Sequence, residues 1–239
     1  MTENDFCNQI LNDFGITISN KQRELLNLFS DLLLDYNLKV NITSIKNKKE
    51  VYLKHFYDSL SIVKIIDLNN VESLLDVGSG GGFPGIVLKI FFPNVSITLL
   101  DSNHKKSDFQ RYICDKLNLD NIIIVNDRAE NFYLLGKKYD IVVARAVARM
   151  NVLTELCLPF SKIGGYFIAM KGNAEEEIKE AKKSIEMLGG KTMDIIDFKM
   201  PYNAGNRTII KVLHEKVTPV NYPRSYDKIL KKPLKWSKK

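Results

Sequence analysis

Residues 73–101 read SLLDVGSGGGFPGIVLKIFFPNVSITLLD, and this stretch decides the fold. An apolar run at 73–77 ends in a glycine cluster, an amphipathic segment follows at 84–91, and a second apolar run at 96–100 ends in Asp101. Continuous apolar runs of this length, rather than alternating ones, suit strands covered on both faces. Further runs at 122–125, 139–144 and 166–170 alternate with helix patterns at 105–117, 150–160 and 174–188. That alternation predicts a parallel sheet built from β/α units. The last two runs, 193–198 and 208–213, have only residues 199–207 between them. This is too short for a crossover helix, so they should pair antiparallel at one edge. The expected fold class is α/β, a Rossmann-like seven-stranded sheet.

Ahead of the sheet lies a helical extension. Ser19 suits the N-cap of a helix over 20–38, where Leu25, Leu28, Leu32 and Tyr36 recur at helical spacing. A second helix is expected over 50–66, and 37–43 between them is a loop rich in amides and hydroxyls. At the other end, residues 216–239 carry eight basic residues against Asp227 alone. Removing these from the 35 basic and 28 acidic residues of the chain leaves 27 of each, so the whole excess of +7 sits in the tail. The division expected is therefore 1–70 helical extension, 71–215 sheet domain and 216–239 basic tail.

Composition excludes several classes. With 45% apolar and 26% charged residues, the chain is neither disordered nor collagenous nor a coiled coil. No apolar run approaches the ~20 residues that span a bilayer. The start, MTENDFCNQI, is acidic and polar where a signal peptide is basic and then apolar, so a cytoplasmic location is expected. Cys7, Cys114 and Cys157 are odd in number and widely spaced, which predicts free thiols and no metal site.

Ligands of such sheets bind outside the carboxyl ends of the strands. The first strand runs into Asp76-Val77-Gly78-Ser79-Gly80-Gly81-Gly82-Phe83-Pro84. Glycines there allow a sharp turn and close approach of a ligand to bare backbone. The spacing differs from the dinucleotide pattern, whose last glycine would fall at Phe83, an aromatic that leaves less room for a pyrophosphate. Asp76 can accept from a positively charged ligand group, Asp101 from both hydroxyls of a ribose, and Asp127-Arg128-Ala129-Glu130 can flank an adenine. Together these residues read as an S-adenosylmethionine pocket, and the sheet as that of a class I methyltransferase.

The acceptor enters after the fourth strand, at Ala144-Arg145-Ala146-Val147-Ala148-Arg149. The Asn/Asp-Pro-Pro-aromatic segment typical of methylases of exocyclic amines is missing there, and Cys157 lies inside a predicted helix, not placed as a nucleophile. An acceptor needing neither covalent help nor deprotonation, such as guanine N7, fits.

Segments 41–45 (NITSI), 52–60 (YLKHFYDSL), 75–84 (LDVGSGGGFP), 142–158 and 164–172 resemble the bacterial glucose-inhibited division protein B family. The resemblance runs from about residue 25 to residue 213, and its HFYDSL and ARAVA segments are more specific than the glycine loop. It implies a methyltransferase acting on guanine N7 at one position of 16S ribosomal RNA. Carried over by position, it implies cofactor contacts at Gly78, Phe83, Ala129, Glu130 and Arg145. Residues 101–106 (DSNHKK) keep Asp101 but depart from the family's usual Asp-Ser-Leu-x-Lys-Arg at Asn103 and Lys106.

The expected cofactor set is thus Asp76, Gly78, Gly80, Gly82, Phe83, Asp101, Ala129, Glu130 and Arg145. Arg145 positions the reactants, and no general base is expected. RNA contacts are expected at His55, Arg149 and Lys171 around the strand ends and at Arg224, Lys231 and Lys232 in the tail. Interleaved Tyr222, Tyr226 and Trp236 suit base stacking. The partner is 16S ribosomal RNA or the small-subunit particle, met by a monomer without metal or membrane. Two other readings compete: a methylase of another RNA or a small molecule, and an inactive RNA-binding module of the same fold.

Overall fold

The computed structural model describes residues 1–234. β1 (Ser73–Val77), β2 (Ser96–Asp101), β3 (Ile122–Asn126), β4 (Tyr139–Arg145), β5 (Ser161–Lys171), β6 (Gly190–Lys199) and β7 (Asn206–His214) form one sheet in the order β3-β2-β1-β4-β5-β7-β6. β1 to β5 pair in parallel. β7 runs antiparallel between β5 and β6, as the short connection before it requires. The chain leaves β1 in one direction across the sheet and returns to its other side at β4, so a crevice opens at the carboxyl ends of these two strands.

Both faces of the central strands are covered, which is why β1, β2 and β4 read as nearly unbroken apolar runs, whereas the edge strand β6 is largely exposed. On one face Leu74, Ile97, Ile141, Val143, Ile168 and Met170 join a single core cluster. Their neighbours in sequence, Leu75, Val142, Ala144, Phe167 and Ala169, point to the other face and a second cluster.

The first face is closed by the N-terminal helices. Asn20–Asn37 starts at Ser19 as expected, with Ser19 and Gln22 forming a capping box. Sequence reasoning missed the helix Glu3–Phe14, although Thr2 and Asp5 form another capping box and Gly15 ends the helix in the left-handed region. The helix expected over 50–66 is composite. One α-turn, Lys48–Glu50, leads into a π-wound stretch, Val51–Tyr57, followed by Asp58–Leu60 and a 3-10 turn at Ser61–Lys64. Five of the seven π-wound residues are buried, a broader face than the single stripe of a regular helix covers. Residues 1–70 build no separate core: Phe6, Phe29, Phe56 and Leu60 belong to the same cluster as the sheet face.

The second face is closed by the helices Met150–Cys157 and Glu175–Met187 and by the tail. The expectation of a free basic arm changes here. Ile229 is fully buried, Tyr222, Tyr226 and Leu234 pack against the second cluster, and Thr218 donates to the Leu188 carbonyl at 2.8 Å. Leu230 is exposed, and Trp236 lies outside the described residues. The segment 216–234 is part of the fold because it supplies apolar side chains that the helix Met150–Cys157 leaves uncovered.

Candidate active site

A cavity of about 370 Å³ opens at the carboxyl ends of β1 and β2, lined among others by Gly78, Asp101, Ala129, Glu130, Ala146 and Tyr226. Gly78, Gly80 and Gly82 all have positive φ, at 71°, 57° and 85°. At Gly78 the requirement is double, because a Cβ there would also lie 2.6 Å from Val147 Cγ2. Asp101 ties the loops together: Oδ2 accepts from the Gly80 amide and Oδ1 from the Asn103 amide, both at 2.8 Å. A carboxylate offers about four acceptor positions, so Asp101 retains capacity towards the cavity.

The expected cofactor residues divide. Gly78, Asp101, Ala129 and Glu130 line this cavity, whereas Asp76, Gly80, Gly82 and Phe83 do not. Gly82 abuts Ile86, where a Cβ would come within 2.3 Å of Cδ1. Asp76 is fully buried; Oδ2 accepts from the Gly85 amide at 2.8 Å and Oδ1 has no partner among the described residues. Burial pushes its carboxyl up to about 7. Phe83 needs correcting: its ring turns into the N-terminal cluster, stacked on His55 at 4.2 Å and on Phe29 at 5.2 Å, and it anchors the extension instead of facing the cavity.

A second cavity, about 390 Å³, lies across Ala146 from the first and is lined by Lys54, His55, Asp58, Arg145, Lys171 and Arg207 among others. Arg145 Nη1 donates to Asp58 Oδ2 at 2.9 Å and to the Lys54 carbonyl at 3.1 Å. Nη2 lies 3.3 Å from His55 Nδ1. Asp58 Oδ1 accepts from Arg207 Nε at 2.7 Å, so one buried carboxylate clamps two guanidinium groups. Burial and the Arg145 charge press the His55 imidazole down to about 3, so the ring is neutral. Nδ1 then accepts from Arg145, and Nε2 donates to Thr43 Oγ1 at 2.9 Å. Ala146 lines both cavities and holds a φ of 55°, an unusual conformation for a residue with a Cβ.

Asp58 and Arg207 escaped sequence reasoning because they stand 149 residues apart and meet only through the fold. The available signal was an arginine near the start of β7, just ahead of the apolar pair Ile209-Ile210.

The cations expected on RNA have mixed surroundings. His55 is the stacked, neutral ring just described. Lys171 donates to the Ala148 carbonyl at 2.6 Å and pairs with Glu177 at 2.8 Å, pinning the loop that follows Arg145. Arg149 pairs with Glu180 on the surface, and its side chain is 58% exposed. Arg224 needs correcting: its Nε and Nη2 bind the two oxygens of the fully buried Glu155 at 2.8 and 2.6 Å, and its amide donates to the same carboxylate at 3.0 Å. This guanidinium is committed to the fold, not offered to a phosphate. Lys231 and Lys232 are exposed.

Residues 22–209 match the family described as rRNA small subunit methyltransferase G. The ribosomal RNA small subunit methyltransferase G of Staphylococcus saprophyticus is 45% identical over 232 residues, covering 95% of this chain and 96% of that protein. The protein of the same name from Acetivibrio thermocellus is 45% identical over 224 residues, 92% of each chain. Among solved structures, a precorrin-6y C5,15-methyltransferase from Geobacter metallireducens superposes with a TM-score of 0.51 at 17% identity, over 72% of this chain and 90% of that one. The Methanococcus jannaschii fibrillarin pre-rRNA processing protein gives 0.51 at 19%, over 65% and 73%. At these identities the two structures speak for the fold alone.

Proposed function

The chain belongs to the rRNA small subunit methyltransferase G family, and from that membership we propose that it methylates N7 of one guanine in 16S ribosomal RNA, using S-adenosylmethionine. The observation that carries the reading is the pair of cavities meeting at Ala146. One has the bare glycine backbone and free acceptor capacity that a nucleoside needs; the other is cationic, as an RNA nucleotide needs.

The residues fit the cofactor. Left-handed Gly78 puts bare backbone on the cavity wall where a Cβ would run into Val147, Asp101 faces the cavity, and the buried Asp76 has an oxygen without a partner among the described residues. S-adenosylmethionine supplies an electrophilic methyl, which the N7 lone pair takes as the C–S bond breaks. N7 carries no proton to remove, so positioning does the catalytic work. Arg145, fixed by Asp58, His55 and the Lys54 carbonyl, orients the guanine nucleotide beside Ala146. The neutral His55 is a support for Arg145 and takes no proton.

The test incubates undermethylated small subunits with the protein and S-adenosylmethionine, then digests the 16S RNA for nucleoside mass spectrometry. One new 7-methylguanosine per subunit is expected. Gly78→Val should give none and bind no cofactor, since a branched side chain would be strained at φ 71° and would run into Val147. Absence of the product with wild-type protein, or normal yield from a normally melting Gly78→Val, contradicts the proposal.

A further inference from the structure

The C-terminal segment, where RNA contacts were expected, reaches the glycine-loop cavity. The short helix Tyr226–Lys231 brings Tyr226 to the rim of the glycine-loop cavity, beside Asp127, Arg128, Ala129 and Glu130. Four contacts hold it there. The Tyr226 amide donates to Glu130 Oε1 at 3.1 Å, so the carboxylate expected beside an adenine is itself fixed by the tail. The Arg128 guanidinium lies 5.3 Å from the centre of the Tyr226 ring. On either side, Arg224 is clasped to buried Glu155, and Ile229 is fully buried.

We propose that Tyr226 is a cofactor-binding residue: the segment 224–229 is a strap that supplies one wall of the nucleoside end of the pocket. The proposal rests on the S-adenosylmethionine reading of that cavity. An aromatic ring with one face on a guanidinium is held in a defined orientation and offers its remaining surface to an apolar or π-bonded ligand group. Without the strap, Asp127–Glu130 face solvent, and Glu130 loses the amide that orients it. The ring is the contributing part, because any residue at 226 retains the amide.

Titration calorimetry with S-adenosylhomocysteine on the full chain separates the possibilities. Wild type and Tyr226→Phe should bind alike, and Tyr226→Ala should bind at least tenfold more weakly. If wild type binds and Tyr226→Ala binds equally well, the strap assignment is overturned while the pocket stands. If wild type binds neither S-adenosylhomocysteine nor S-adenosylmethionine, the pocket reading falls and takes the strap with it. Hydrogen exchange gives a readout independent of folding defects in the variant. A ligand that binds only the strapped state opposes its local opening, so amide exchange across 224–231 in wild type should slow as ligand concentration rises. Exchange there that ignores saturating ligand overturns the proposal.

Discussion

The two ends of the chain cover opposite faces of one sheet by different physics. Residues 1–70 close their face with aromatic burial: Phe6, Tyr52, Phe29, Phe56 and Phe83 form a chain of ring contacts. Residues 216–234 close theirs with a few anchors, of which one buried ion pair, Arg224–Glu155, carries the most specificity. Each end reaches one of the two cavities. The apolar end delivers His55 and Asp58 to Arg145, and the anchored end delivers Tyr226 to Glu130. Losing an apolar side chain leaves a cavity that removing a neighbour does not refill, whereas a broken buried ion pair leaves an uncompensated charge that a second substitution can remove.

That difference is open to direct attack. Phe83→Ala should have the largest effect, lowering unfolding free energy by about 4 kcal/mol in urea denaturation, because a 4% exposed ring stacked on two others leaves a cavity. No second deletion nearby should restore it. Arg224→Ala should cost about 3 kcal/mol by leaving Glu155 buried without its counter-ion. Here a second change should help: Glu155→Leu in that background should recover most of the loss, since replacing both members of a buried pair with apolar groups is often close to neutral. A double variant as unstable as Arg224→Ala would show that the tail is held by packing like the N-terminal end, and the contrast would vanish.

A smaller, pH-dependent effect sharpens the N-terminal side. His55 titrates near 3 in the folded protein against 6.5 ordinarily. Between those values the unfolded chain holds a proton that the folded one does not, so stability present above pH 6.5 drains away as pH falls towards 3. Asp76, raised from 3.8 to about 7, acts in the opposite sense over a similar window. The informative quantity is therefore the difference between wild type and His55→Gln, in which Asp76 cancels. Wild type should lose stability faster on acidification, and parallel curves would mean that His55 is charged or solvated.

How much was legible follows from which forces are local in sequence. The central strands were readable because burial on both faces makes them runs of apolar residues, and the antiparallel placement of β7 beside the more exposed edge strand β6 followed from a short connection. The positions of Gly78 and Asp101 at the strand ends, where both line the first cavity, were readable because a strand end and a turn are local features. The helix Glu3–Phe14 hid behind its polar surface, with the Thr2–Asp5 cap and Gly15 as its local marks. Phe83 was misplaced because nothing in a glycine loop tells which way the next ring turns. Arg224 was misread because a count of charges treats every cation as free, and its partner lies in a helix whose burial is a tertiary fact.

The ion pair between Glu155 and Arg224 also sets an order of events at synthesis. The two residues are 69 apart, and the acid emerges from the ribosome first. Until the arginine follows, the helix Met150–Cys157 carries a carboxylate that must stay wet or take up a proton, so it cannot seat fully on the sheet. The face closed by residues 1–70 needs nothing later than β7, whose Arg207 pairs with Asp58 and whose Ile209 joins its core cluster. A nascent molecule therefore closes its aromatic face while the opposite one is still open, and with Tyr226 as a wall of the pocket, it gains a complete cofactor site only after the strap is released.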